Sequence, residues 1–125
     1  MEILDLDLLR PDPKVIKLGG KEIDVSFIPC GITFDVDRIT REISELGIEA
    51  IKKGGEATQK AFTLSMELCA IFCQTKHPEM DEQWFQNNTN PQQVNALVTA
   101  IKETLFKGYE QVQGYSKNGE AVKTK

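Results

Sequence analysis

Histidine is nearly absent: His77 is the single one in 125 residues. A Cys–His or Ser–His–Asp relay would have to be built on that one imidazole. Cysteine is sparse and odd in number, and the spacing of Cys30, Cys69 and Cys73 matches no disulfide framework. In a reducing compartment all three read as small hydrophobes. Long apolar runs are missing too. The densest stretch, 62–73, is interrupted by Thr63, Ser65 and Glu67, short of the roughly 18 to 20 apolar residues that cross a bilayer. Residues 1–10 alternate acidic and aliphatic types (Glu2, Asp5, Asp7) where a signal peptide would carry Lys or Arg before an apolar core. The expectation is a cytoplasmic protein with no membrane partner. Positive charge is in deficit, 15 basic against 19 acidic residues for a net −4. That balance offers no electrostatic footprint to a phosphate backbone, so nucleic acid is not an expected partner.

What is present is the make-up of one ordinary domain, 40% hydrophobic and 27% charged. The chain divides into an extended leader over 1–13, a single α+β domain over 14–113 and a flexible tail over 114–125. Pro11 and Pro13 deny the end of the leader both helix and sheet pairing. Its Ile3, Leu6, Leu8 and Leu9 are free to dock on the core or on a partner.

A hairpin is predicted over 15–28. Val15 to Leu18 lead into Gly19-Gly20, and the second arm alternates Ile23, Val25 and Phe27 with Glu22, Asp24 and Ser26 until Pro29. Two glycines supply the positive φ values of a type I′ turn. A first helix is predicted over 34–53, with Thr33 as N-cap, Asp35 and Asp37 in the first turn, and a stripe of Val36, Ile39, Ile43 and Leu46. Gly47 predicts a bend or break, and Gly54-Gly55 a stop. The second helix, 56–76, is apolar over more than half its circumference. That marks it as central, or as half core and half subunit interface. A short helix over 81–86 carries Trp84 and Phe85. The last opens with Asn90 as N-cap and Pro91 at its first position, and buries Val94, Leu97, Val98, Ile101 and Leu105. The predicted fold is α+β, an N-terminal β-hairpin packed on a mainly helical bundle of three to four helices.

The chemistry-bearing groups are few. Cys69, Cys73 and His77 stand at i, i+4 and i+8, a spacing that puts soft ligands on one helix face. The cysteines lie in the apolar arc, no fourth ligand follows, and Pro78 ends the helix beside His77, so core packing is the expectation and no metal site is assigned. Cys30 lacks the electropositive setting a reactive thiolate needs. Gly19-Gly20 has no following Lys-Ser/Thr and no helix start, which fails the context of a phosphate cradle. No catalytic residue and no cofactor are expected. Trp84 and Phe85, adjacent on a short helix, either both pack into the core or divide, one to the core and one to a partner.

The order of elements carries a resemblance. An acidic leader precedes the hairpin Val-Ile-Lys-Leu-Gly-Gly-Lys-Glu-Ile-Asp-Val; helices follow, then Trp84-Phe85, then Asn90-Pro91-Gln92-Gln93-Val94 opening an amphipathic helix. Over residues 14–112 this resembles the tail assembly chaperones of long-tailed (siphovirus-like) phages and prophages. The Cys-bearing central helix and the basic tail depart from that pattern. The resemblance implies a non-enzymatic protein that holds the tape-measure protein soluble and helps tail-tube subunits polymerise around it, sometimes with a longer frameshifted product. Such work calls for apolar grooves between helices and for self-association that covers them meanwhile. On this reading Phe62, Met66, Trp84, Phe85, Leu97, Ile101 and Leu105 are core or partner-binding residues of the second helix, the short helix and the last helix. The alternatives are a structural tail component and a small cytoplasmic interaction adaptor.

Overall fold

The computed structural model describes residues 3–120, with side chains for 3–48 and 54–107. Its elements run β1 (Val15–Leu18), β2 (Lys21–Asp24), α1 (Thr33–Lys53), α2 (Glu56–Cys73), α3 (Glu82–Asn88) and α4 (Pro91–Glu120). The fold is therefore α+β, an antiparallel N-terminal hairpin with four helices, as the patterning predicts.

The hairpin pairs Leu18 with Lys21 and Ile16 with Ile23 across Gly19-Gly20. Both glycines have positive φ, 58° and 80°, the backbone twist that a two-residue turn between right-twisted strands requires. Strand pairing stops at Asp24, four residues before the predicted end. The Asp24 carboxylate accepts from its own Ser26 N–H at 2.9 Å and from Lys14 N–H at 3.3 Å. It thereby turns the chain off the ladder. Val25 N–H still reaches the Lys14 carbonyl, and Ile23 and Val25 remain buried.

The leader is not wholly extended: Leu6–Leu9 form a 3-10 turn whose N-cap, Asp5, accepts from Asp7 N–H. Its apolar side chains do not dock on the core, since Ile3, Leu4, Leu6, Leu8 and Leu9 are 56–84% exposed. Glu2 lies outside the described residues. Thr33 is not the N-cap either. A second 3-10 turn, Cys30–Ile32, feeds directly into α1, so Thr33 is already helical and its hydroxyl donates to the Pro29 carbonyl at 3.0 Å. Asp35 and Asp37 pair with Arg38 and Arg41, at 3.6 and 3.1 Å. The helix runs through Gly47 without a break; one glycine in 21 residues costs about 1 kcal/mol, too little to end it. Gly54 and Gly55, with φ of 65° and 60°, do end it.

α2 is central, packing against α1, α3 and α4, with Leu68, Cys69, Phe72 and Cys73 almost fully buried. It stops at Cys73 rather than Lys76, because Lys76 N–H and His77 N–H both turn back onto the Cys73 carbonyl. α3 starts at the N-cap Asp81, whose carboxylate accepts from Trp84 N–H at 2.8 Å. It buries Phe85.

α4 opens with a reciprocal box. Asn90 Oδ1 accepts from Gln93 N–H, and Gln93 Oε1 accepts from Asn90 N–H, both at 2.9 Å. Val94, Leu97, Val98, Ile101 and Leu105 are buried as the spacing predicts. The backbone stays helical past Gly108 and Gly114 as far as Glu120, where a tail was expected from 114; residues 121–125 lie outside the described residues.

The hairpin is seated by groups far apart in sequence. The Thr104 hydroxyl donates to the Val25 carbonyl, and His77 Nε2–H donates to the Glu22 carbonyl at 2.9 Å. Lys21 pairs with Glu79, and the Trp84 ring lies over Gly19.

Candidate functional site

The seven residues singled out by sequence fall into three places. Leu97, Ile101 and Leu105 are core residues of α4, each less than 5% exposed, and present no surface between α2 and α4. Their i, i+4, i+8 spacing marks a buried face, and four-helix packing fills it. Phe62, Met66 and Phe85 converge on a small recess of about 270 Å³ edged by Gln86, Thr89 and Pro91, Phe85 and Met66 from the core side. Trp84 is half-buried and covers the hairpin turn, edge-on to Phe85 with centroids 5.1 Å apart. Phe85 is buried and Trp84 half-buried, both against residues of this chain. Trp84 packs against the hairpin, with both rings belonging to the same hydrophobic cluster.

Cys69, Cys73 and His77 are not brought together. α2 ends at Cys73, and His77 turns to the hairpin. Cys69 Sγ–H points at the Val94 carbonyl, 3.9 Å away. Burial raises both thiols, Cys73 to about 12 and Cys69 further, which keeps them protonated and poor as ligands or nucleophiles. Among the described residues no three His, Cys, Asp or Glu side chains gather around a common point. Cys30 is exposed on its 3-10 turn. No described helix is long and apolar enough to cross a membrane.

A larger concavity lies elsewhere, between α1 and α2. It is a groove of about 750 Å³, lined by Glu42, Glu45 and Leu46 from α1 and by Glu56, Gln59, Lys60, Thr63 and Leu64 from α2. Leu46 and Leu64 are half-buried and form an apolar floor. Three carboxylates against one ammonium make the rim acidic. Glu42 is held by Arg38 Nη1 at 3.0 Å, whereas Glu45 and Glu56 are exposed. The Thr63 hydroxyl donates back to the Gln59 carbonyl at 3.0 Å. Sequence periodicity marks Leu46 as the end of the α1 stripe but gives no sign that it meets Leu64, because that depends on how the two helices cross. The acidic spacing Glu42/Glu45 was the available signal.

An open trough with an apolar floor and an acidic rim holds no nucleophile–base pair. It has the shape and charge that receive one face of a basic amphipathic helix. No protein-family model, curated protein or solved structure matches this chain.

Proposed function

We propose that this chain is a non-enzymatic holding protein for a helical partner, a tail assembly chaperone that binds the tape-measure protein in the bacterial cytoplasm and assists assembly of the tail tube around it. One observation carries the reading: the α1–α2 groove pairs an apolar floor at Leu46 and Leu64 with the exposed carboxylates of Glu45 and Glu56. A long helix-rich partner offers leucine-type anchors flanked by Lys or Arg, which such a groove receives. The acidic surface keeps the holder soluble while it does so. The sequence resemblance supplies the identity of the partner; the groove supplies a place for it.

Co-expression with a tape-measure protein tests this. The wild-type chain should keep that partner soluble and co-purify with it. The exposed pair Glu45→Lys and Glu56→Lys should weaken the complex at least tenfold, about 1.4 kcal/mol, and the wild-type complex should loosen in high salt. A chaperone should also be absent from finished particles. A tape-measure protein soluble alone and unbound by this chain would refute the reading, as would a complex indifferent to the double charge reversal.

A further inference from the structure

The leader and the hairpin carry complementary, unused halves of a β-sheet. Residues 4–8 read Leu-Asp-Leu-Asp-Leu, strict apolar–acidic alternation, the period of a strand with one dry and one wet face. Yet this segment pairs with nothing. It passes through a 3-10 turn with Leu4, Leu6 and Leu8 between 63% and 81% exposed. An amphipathic strand pattern left in solvent is an unmet pairing preference.

The edge it would fit is on β1. The described sheet has two strands only. The bonded pairs Leu18–Lys21 and Ile16–Ile23, continued by Val25 N–H to the Lys14 carbonyl, turn the backbone groups of Val15 and Lys17 outward. Among the described residues no strand lies beside them. The far edge, on β2, is different, since His77 takes the outward-facing Glu22 carbonyl. So one edge is covered and the other is open.

The side chains match as well. On the β1 edge the inward face carries Ile16, half-buried, and Leu18, buried, and would extend over Leu4, Leu6 and Leu8 of an added strand. The outward face carries the exposed Val15 and Lys17; the added strand would set Asp5 and Asp7 beside them. Lys17 would then stand between these aspartates and Glu22, its partner across the hairpin.

A chain cannot readily serve its own edge in this conformation. Arg10 lies over the Phe27 ring, 4.2 Å from its centroid, which holds the root of the arm against the segment that follows β2. Pro11 and Pro13 stiffen the link between arm and strand. A stiff hinge between a strand and its docking edge favours exchange between molecules. We infer that two copies of this chain exchange arms, residues 4–8 of each adding as a third strand to β1 of the other. The exchange rests on the arm and the β1 edge alone and stands independently of what the α1–α2 groove holds.

Sedimentation velocity on the full chain tests this, with far-UV circular dichroism as the check on folding. The wild-type protein should run at twice the 14.0 kDa of one chain at sufficient concentration. Leu6→Asp, at an exposed site, spoils the arm and keeps the edge. Lys17→Pro removes an outward N–H from an edge strand and keeps the arm. Each variant alone should be a monomer at the concentration where wild type is dimeric. An equimolar mixture should regain dimer, because one intact arm then meets one intact edge. A monomeric wild type, a dimer untouched by Leu6→Asp, or a mixture of folded variants that stays monomeric would each overturn the exchange. If Lys17→Pro unfolds, Lys17→Glu, which reverses the charge facing Asp5 and Asp7, takes its place with the same expected outcomes.

Discussion

Placing a methyl group on the first residue of the hairpin turn should cost far more than placing one on the second. Gly19 and Gly20 both have positive φ, so alanine at either bears a left-handed backbone penalty of roughly 1–2 kcal/mol. Only at Gly19 does the new Cβ meet something, lying 2.8 and 2.9 Å from Cζ2 and Cη2 of Trp84, while at Gly20 nothing lies within 4 Å. The indole is also held in an edge-to-face contact with Phe85, which limits its retreat. Overpacking of this kind costs about 1–3 kcal/mol. Gly19→Ala should therefore destabilise by about 2–5 kcal/mol and Gly20→Ala by about 1–2. Urea unfolding followed by far-UV circular dichroism measures both. With a slope of about 2 kcal/mol per molar, the Gly19→Ala midpoint falls by about 1–2.5 M. On a Trp84→Ala background the extra cost of Gly19→Ala should vanish, leaving the backbone term alone. Equal costs at the two glycines, or a Gly19→Ala penalty that survives removal of the indole, would refute the packing argument.

Asn90→Ala should cost about 0.5–2 kcal/mol by opening the reciprocal box with Gln93, read as a lower thermal midpoint that Asn90→Ser largely restores. In native protein a thiol reagent should modify Cys30 alone, all three cysteines reacting only in denaturant; fast native labelling of Cys69 or Cys73 would contradict their burial. Hydrogen bonding by the Ser26 side chain, joined by the N–H groups of Ser26 and Lys14, holds the Asp24 carboxyl below its ordinary value. A depressed carboxylate stabilises above its unfolded pKa near 4 and ceases to as pH falls through the lower folded value. Wild-type stability should therefore drop below about pH 4 more steeply than that of Asp24→Asn, compared by urea midpoints across the acid range.

Local chemistry was legible wherever one residue and its near neighbours decide the outcome. Asn90-Pro91 fixed the start of α4, the glycine pairs fixed the turn and the stop of α1, and the apolar arc of α2 marked its central place. Two of the misses have a common physical origin, a side chain competing with the backbone ladder. The Asp24 carboxylate ends β2 early, and Asp5 curls the leader into a 3-10 turn. Backbone bonds to Cys73 unwind α2 before His77 can join the cysteines. The groove lay out of reach for another reason. Leu46 and Leu64 share its floor through the crossing of two helices, which no periodicity along either one encodes. For the same reason Leu97, Ile101 and Leu105 were legible as one face, but not as a face the bundle fills completely.

The long-range anchors of the hairpin also set a schedule for folding. Thr104 is 79 residues downstream of the carbonyl it binds, and His77 is 55 downstream of its own. At about 5–20 residues per second of synthesis, the hairpin waits roughly 4–16 s before its last anchor exists. During that interval an isolated two-stranded hairpin is marginal at best, and the apolar arm beside it is equally uncovered. The leucine-bearing arm is thus an aggregation-prone segment during synthesis. The aspartates spaced through its leucines act as gatekeepers while the chain is being made.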